Sequence, residues 1–224
     1  MDSSLNQPLL SLLSDALRRK LVAAGQTKRF DDGQTIHTQG SRRLGLSVIM
    51  SGRVRFGVFS ENGDFIHTGL LNEGHCFGEA TLFANMPRAY HADAVGATVI
   101  LGVGKKQFDT LFDDNPGFAR AFLGALTNRL YAALDFADDL RRLTLEARIA
   151  KQLFRIAGMG GFSGDGIIPI RQTDLAYALG MSRVSIGKAL EALQRRGFIE
   201  LGYGEIKITD PARLKALIAI NKSV

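Results

Sequence analysis

Ile170-Arg171-Gln172-Thr173-Asp174-Leu175-Ala176-Tyr177-Ala178-Leu179-Gly180-Met181-Ser182-Arg183-Val184-Ser185-Ile186-Gly187-Lys188-Ala189-Leu190-Glu191-Ala192-Leu193 reads as two short helices folded around a tight corner. Leu175, Ala178 and Leu179 recur at the spacing of one helical face. Gly180 stands where the first helix must end in a left-handed residue, a conformation that glycine takes without steric strain. Ser182 has the short hydroxyl side chain of an N-cap. The second helix then hides Ile186, Ala189, Leu190 and Leu193. It presents Arg183, Val184, Gly187, Lys188 and Glu191 to solvent. Ala176 is small where the helices must approach closely. The pattern is a helix-turn-helix, and the exposed first turns of its second helix are shaped to enter a DNA major groove.

The plain alternative is a helical hairpin with a solvated basic face. Two neighbouring features weigh against it. Behind Arg195-Arg196-Gly197, the runs Phe198-Ile199-Glu200-Leu201 and Glu205-Ile206-Lys207-Ile208 alternate as strands around Gly202-Tyr203-Gly204. A glycine-rich hairpin directly after a recognition helix predicts the wing of a winged helix. The charge is also local. The chain carries a net +6, and residues 145–224 hold 12 Lys and Arg against 7 Asp and Glu. Positive charge gathered on this segment is what phosphate neutralisation requires.

Working outward, 224 residues suffice for one or two domains, and 46% hydrophobic residues suffice for real cores. No apolar run approaches the roughly 18 residues of a membrane span. Met1-Asp2-Ser3-Ser4 lacks the basic start of a signal peptide, and a single cysteine leaves no internal disulfide, so a cytoplasmic location is expected. Residues 1–26 read as a helical lead with Leu9, Leu10, Leu12, Leu13 and Leu17 apolar. Over residues 27–105, short β-type runs alternate with glycine turns: Val48-Ile49-Met50 before Gly52, Val54 to Phe59, Phe65 to Leu71 before Gly74, and Ala94 to Val103. This predicts an antiparallel barrel or sandwich.

Residues 106–143 turn helical, with Pro116 placed at a helix start after Asn115. Phe118, Phe122, Ala125 or Leu126, Arg129, Ala133 and Phe136 form a stripe of mixed three and four spacing, close to a coiled-coil seam. Such a helix either packs on the barrel or joins two copies. Dimerisation is the favoured reading, because helix-turn-helix proteins bind paired half-sites as dimers. Thr144 followed by Glu146 can cap the next helix, which puts a hinge near Leu143-Thr144 and the C-terminal domain at residues 144–224.

One loop within the barrel carries chemistry: Gly74-His75-Cys76-Phe77-Gly78-Glu79-Ala80-Thr81-Leu82-Phe83-Ala84-Asn85-Met86-Pro87-Arg88-Ala89. Gly78 admits a close backbone approach, and the loop behind it can turn N–H groups toward an anion. Arg88 can hold a phosphate in a charge-assisted pair, and Glu79 can accept from a sugar hydroxyl.

Gly78-Glu79 followed by Pro87-Arg88-Ala89 resembles the phosphate-binding cassette of cyclic-nucleotide-binding domains. A barrel with this cassette, a long helix and a winged helix-turn-helix resembles the Crp/Fnr family of bacterial transcription regulators from about Phe30 onward. The resemblance implies an α+β chain: an N-terminal cyclic-nucleotide-binding β-roll or jelly roll, a long dimerisation helix and a C-terminal winged helix-turn-helix. It implies a homodimer with double-stranded DNA and RNA polymerase as partners, no membrane association, and a cyclic nucleotide, cAMP or cGMP, as effector. No other cofactor is implied.

By position, Phe77, Gly78, Glu79, Ala80, Arg88 and Ala89 correspond to the nucleotide cassette, and Arg129 to an arginine that braces the pocket floor. Ala89 replaces the serine or threonine of many bacterial members and matches the alanine of the eukaryotic kinase cassette. The hydroxyl residues that grip adenine in the bacterial cAMP receptor fall on Ala133 and Leu134, which offer hydrophobic cover but no hydrogen bond. Asp135 beside them is either an acceptor for guanine N–H groups or a solvated helix aspartate. DNA contacts fall on Thr173, Ser182, Arg183, Val184, Ser185 and Lys188. Val184 stands where the cAMP receptor carries a glutamate, so the half-site should differ at that base.

Other readings stay in view: a cyclic-nucleotide regulatory subunit of an enzyme, or a regulator of the same family with another ligand or none. The subunit has no use for a winged helix. An enzyme is disfavoured, since His37, His67, His75 and His91 are scattered and no nucleophile or metal-ligand motif accompanies them. His75-Cys76 pairs two possible haem ligands. Neighbours on a loop more often meet by chance, and the iron–sulfur branch of the family needs more cysteines than this chain has.

Overall fold

The structure, a computed structural model, describes residues 7–59, 61, 65–157 and 166–220. The chain divides into two compact units, Ser4–Leu130 and Tyr131–Val224.

In the first unit the lead is broken into α1 (Leu9–Leu12) and α2 (Asp15–Ala23), because Ser14 caps α2 by accepting a hydrogen bond from the Leu17 N–H at 3.4 Å. There follow β1 (Gln26–Phe30), β2 (Thr35–His37), β3 (Gly45–Phe59), β4 (Phe65–Asn72), β5 (Cys76–Phe77), the short α3 (Glu79–Phe83), β6 (His91–Gly104), α4 (Lys105–Asp114) and α5 (Pro116–Arg142). The strands pair antiparallel in the order β1-β6-β3-β4, with β2 on β6 and β5 on β3. Alternation decides which face each side chain joins. Val48, Cys76 and Leu101 pack with the helices, whereas their neighbours Ile49, Phe77 and Ile100 fill the other face with Phe30, Val54 and Ala94. Both faces are therefore covered.

Two expectations are corrected. Val48–Met50 and Val54–Phe59 are one strand. Gly52 is an irregularity within β3, where the pairing with β6 shifts on either side of Ser51. Its φ of +81° and the Ala97 carbonyl oxygen, 2.6 Å from where a Cβ would sit, explain the glycine. The stripe read as a dimer seam faces inward along its first half. Phe118 and Phe122 are fully buried, and Ala125 is buried with them. The Phe118 and Phe122 rings lie 6.1 and 5.2 Å from that of Phe108 on α4. The face left outside on α5 is Leu123, Leu130, Tyr131 and Leu134, each more than half exposed. The helical side of the sheet needs large apolar cover, and the phenylalanines supply it.

The second unit contains the last turns of α5, then α6 (Leu145–Ile156), β7 (Ile167–Ile168), α7 (Gln172–Leu179), α8 (Arg183–Arg195), β8 (Ile199–Gly202), β9 (Glu205–Ile208) and α9 (Pro211–Ile220). Its core gathers Ile149, Leu153, Leu175, Ile186, Leu190 and Leu214. The predicted hairpin forms, and β7 joins it in a sheet of order β7-β9-β8. Neither β7 nor α9 was anticipated.

Thr144 caps α6 as expected, accepting from the Ala147 N–H at 3.3 Å. The junction itself is not loose. Leu143 is buried and Phe136 packs on the same core. Lys151 Nζ, 4% exposed, donates to Asp139 at 2.6 Å and to Asp135 at 2.8 Å. Asp135 is thus tied to α6 while remaining partly exposed to solvent. By compactness the chain divides at Leu130–Tyr131, inside α5.

Candidate functional site

The first unit holds a cavity of about 340 Å³, within the size range of small-molecule pockets. Phe77, Gly78, Glu79, Ala80, Arg88, Ala89 and Arg129 all line it, as the cassette reading expects. Ala133 and Leu134 do not; both are exposed on α5. Phe56, Leu71 and Tyr90 complete the wall and were missed. Their only signal was alternation along the strands, which marks a buried face without saying that a ligand lies on it.

The cassette is held by its backbone. Gly78 ends β5 with φ +106° and starts α3. A Cβ there would press on Arg88 Nη1 and lie 2.6 Å from the Gly45 carbonyl oxygen. The close approach that demands glycine is therefore made by the arginine as well as by the strand. Thr81 secures the turn by donating to the Gly78 carbonyl at 2.8 Å.

Arg88 is 7% exposed. Its Nη2 donates to the Gly45 carbonyl at 3.1 Å, and its guanidinium stands 6.0 Å from the Phe77 ring centroid. Nε and Nη1 are buried with no partner among the described residues. Burial lowers its pKa from the ordinary value, opposed by Glu79 and aided by Arg43. Glu79 Oε1 accepts from Arg129 Nη2 at 2.5 Å, while Arg129 Nη1 donates to the Cys76 carbonyl at 2.8 Å. Glu79 Oε2 is buried and unmatched. One cavity thus offers unmatched cationic donors and an unmatched carboxylate acceptor. Buried polar groups are normally paired, so these call for a ligand that is anionic at one point and donates a hydroxyl at another.

His75 and Cys76 do not line this cavity. Burial first, then Arg129, brings the His75 pKa down to about 4. Burial pushes the Cys76 thiol up to about 12. The cysteine side chain sits in the helix-facing core, so the pair has the chemistry of packing residues. Among the described residues no cluster of three or more metal-ligating side chains occurs.

In the second unit the turn between α7 and α8 takes the expected form. Gly180 has φ +61°, and Ala176 is buried at the crossing. Ser182 accepts from the Ser185 N–H at 3.1 Å, and the two hydroxyls lie 2.9 Å apart. Both are engaged in capping α8, which positions them at the helix start but occupies their hydrogen bonds. Arg183, Val184 and Lys188 are exposed, Val184 at 67%. Ser185 and Gly187 are half-buried, as is Thr173 on the first turn of α7. Thr173 and Arg183 line a cleft of about 440 Å³ together with Arg171 and Tyr203. The latter two were missed. Tyr203 stands fully exposed at the wing tip, and its signal was an aromatic residue between two glycines.

The cyclic nucleotide-binding domain family matches residues 27–115. The Crp-like helix-turn-helix domain family matches residues 147–217. A CRP-like cAMP-activated global transcriptional regulator of Mycobacterium tuberculosis is 26% identical over 189 residues, covering 83% of this chain and 84% of that protein. The cyclic AMP receptor protein of Thermus thermophilus is 28% identical over 194 residues, covering 86% and 88%. Among solved structures, a CRP/FNR-family transcriptional regulator from Thermus thermophilus superposes with a TM-score of 0.69 at 25% identity, covering 88% of this chain and all of that one.

Proposed function

The chain belongs to the Crp/Fnr family of transcription regulators, and from that premise we propose that it is a homodimer gated by a cyclic nucleotide. It is a regulator and not an enzyme. The carrying observation is the cavity in which Arg88 keeps two unmatched N–H groups and Glu79 keeps one unmatched oxygen. A cyclic phosphate matches the first and a ribose hydroxyl the second. The relatives named for cAMP support this class of ligand. Ala133 and Leu134 lie outside the cavity wall and carry no hydrogen-bonding side chain, so neither selects a base, and cAMP and cGMP both remain in the reading. Glu79 also holds Arg129 of α5, so a ligand on its free oxygen acts on the residue that anchors the long helix. That contact gives the nucleotide a means of shifting the population of DNA-binding forms.

Calorimetry of the purified protein against cAMP and cGMP, joined to DNA mobility shifts at one fixed salt concentration, tests the reading. Saturable binding of at least one nucleotide that changes DNA affinity is expected. Binding of neither would remove the effector assignment and leave a regulator with another ligand. The protein would act in the cytoplasm at promoters, with RNA polymerase as partner. Among the described residues no helix is long and apolar enough to cross a membrane.

Dimerisation is assigned to the outward face of α5. Leu123, Leu130 and Leu134 recur there with Thr127 at spacings of four, three and four, the rhythm of a coiled-coil seam. Leu130→Glu would put a charge into that seam. In sedimentation analysis this variant should run as a monomer at concentrations where the unaltered chain is a dimer, with its circular dichroism unchanged. An unshifted dimer would move the interface elsewhere.

Two such copies would place their α8 helices in successive major grooves, about 34 Å apart, and read a palindromic site. Arg183 can bind guanine O6 and N7, whereas Val184 offers methyl groups suited only to thymine. Val184→Glu adds an acceptor for cytosine N4 and a charge that repels phosphates. Random-site selection should show preference moving to a C·G pair at one position, with discrimination of about 1–3 kcal/mol. Arg183→Ala should instead relax selection at a neighbouring guanine. An unchanged site for Val184→Glu would mean that Val184 does not face the bases.

A further inference from the structure

The first unit contains a second, larger cavity of about 640 Å³ on the other side of the Gly45–Arg88 contact. It is bordered by the end of α2, by β1 and β2, and by the first residues of β3. Lys28, Arg43 and Arg88 line it, together with His37, Ser47 and Gln107. No aspartate or glutamate is among the described residues of its wall. Arg88 is common to both cavities. Its Nη1 faces Gly78, which lines the first, and its Nη2 faces Gly45, which lines the second. The arginine is buried. Its unmatched Nε and Nη1 belong to the nucleotide reading, whereas Nη2, on the side of the second cavity, already donates to Gly45, so what Arg88 brings to the second cavity is its charge.

We propose that this second cavity is a separate binding site for a small organic anion, held by Arg43 and Arg88 and oriented by the His37–Ser47 pair. Three cations around a cavity whose described wall holds no carboxylate create a positive potential that favours an anion there. His37 reports that potential. Burial first, then Arg88 and Arg43, brings its pKa down to about 4, so near neutrality its ring is an uncharged hydrogen-bonding group. Its Nε2 lies 2.8 Å from Ser47 Oγ, which fixes the ring against the wall. The volume exceeds that of the first cavity, so the site admits a phosphorylated or multiply carboxylated metabolite and not merely an inorganic ion. An anion seated there reaches the guanidinium that the first cavity also uses.

The test is an amide chemical-shift titration of the full chain by NMR, with inorganic phosphate and with citrate, ionic strength being held constant with sodium chloride. Saturable shifts are expected at His37, Gly45 and Ser47 with at least one of the two. Phosphate alone would assign the site to phosphate esters, and citrate alone to carboxylates. Arg43 is exposed, so Arg43→Ala leaves the fold intact. It should weaken that binding roughly tenfold or more, the loss of one charge-assisted hydrogen bond. Shifts confined to Gly78–Ala89 would place the anion in the first cavity and overturn the proposal. So would wild-type affinity in Arg43→Ala, or no saturable shift with either anion.

Discussion

Arg88→Ala is expected to lower cyclic-nucleotide affinity by about 10- to 150-fold in calorimetry. That is the range for losing a hydrogen bond to a charged group, about 1.5–3 kcal/mol. Two features of the site argue for the upper part. The guanidinium is desolvated in the free protein, so a phosphate gains its full charge interaction without first displacing water from it. Glu79, its nearest carboxylate influence, is already engaged by Arg129 and does not neutralise it by a hydrogen bond. Stability should change little, because the variant removes a buried charge with unmatched N–H groups while losing one bond to Gly45. Thermal unfolding of the free variant separates the two effects. A variant that bound nucleotide like the unaltered chain would show that the phosphate is held elsewhere.

Lys151→Met should destabilise the second unit by about 3–5 kcal/mol, the cost of leaving a buried charge without its partner. Lys151 is 4% exposed, and the Asp139 side chain is 12% exposed; both depend on each other for solvation. Asp135, at 41%, remains partly hydrated and contributes less. Urea unfolding followed by far-UV circular dichroism measures the change. Adding Asp135→Asn and Asp139→Asn to the same chain should recover much of the loss, since no unpaired charge then remains. A single variant within about 1 kcal/mol of the unaltered chain would mean that the triad is hydrated in solution. The triad ties the last turns of α5 to α6 within the second unit.

The segment around Thr144 shows what a sequence can carry. Thr144 followed by Glu146 is a local signal, and its local consequence, a capped α6, is present. Whether the chain bends there depends on Leu143, Phe136 and Lys151 meeting partners that local order does not name. The same holds for Gly52. Its freedom at positive φ was legible, but a turn and a bulge need the same glycine. Only the Ala97 carbonyl on the neighbouring strand selects the bulge.

By itself the sequence determined the winged helix-turn-helix, the antiparallel strand-rich unit, the cassette from Phe77 to Ala89 and the exposure of Arg183, Val184 and Lys188. Each rests on spacing along one helix, strand or turn, where neighbours in sequence are neighbours in space. Tertiary structure alone decided which face of α5 remains outside, because Phe118 and Leu123 belong to equally apolar stripes and only the sheet beneath selects between them. It also decided that Arg88 spans two cavities and that Asp135 belongs to Lys151. Those pairings join residues distant in sequence, and their partners are fixed by packing rather than by any periodicity of the chain.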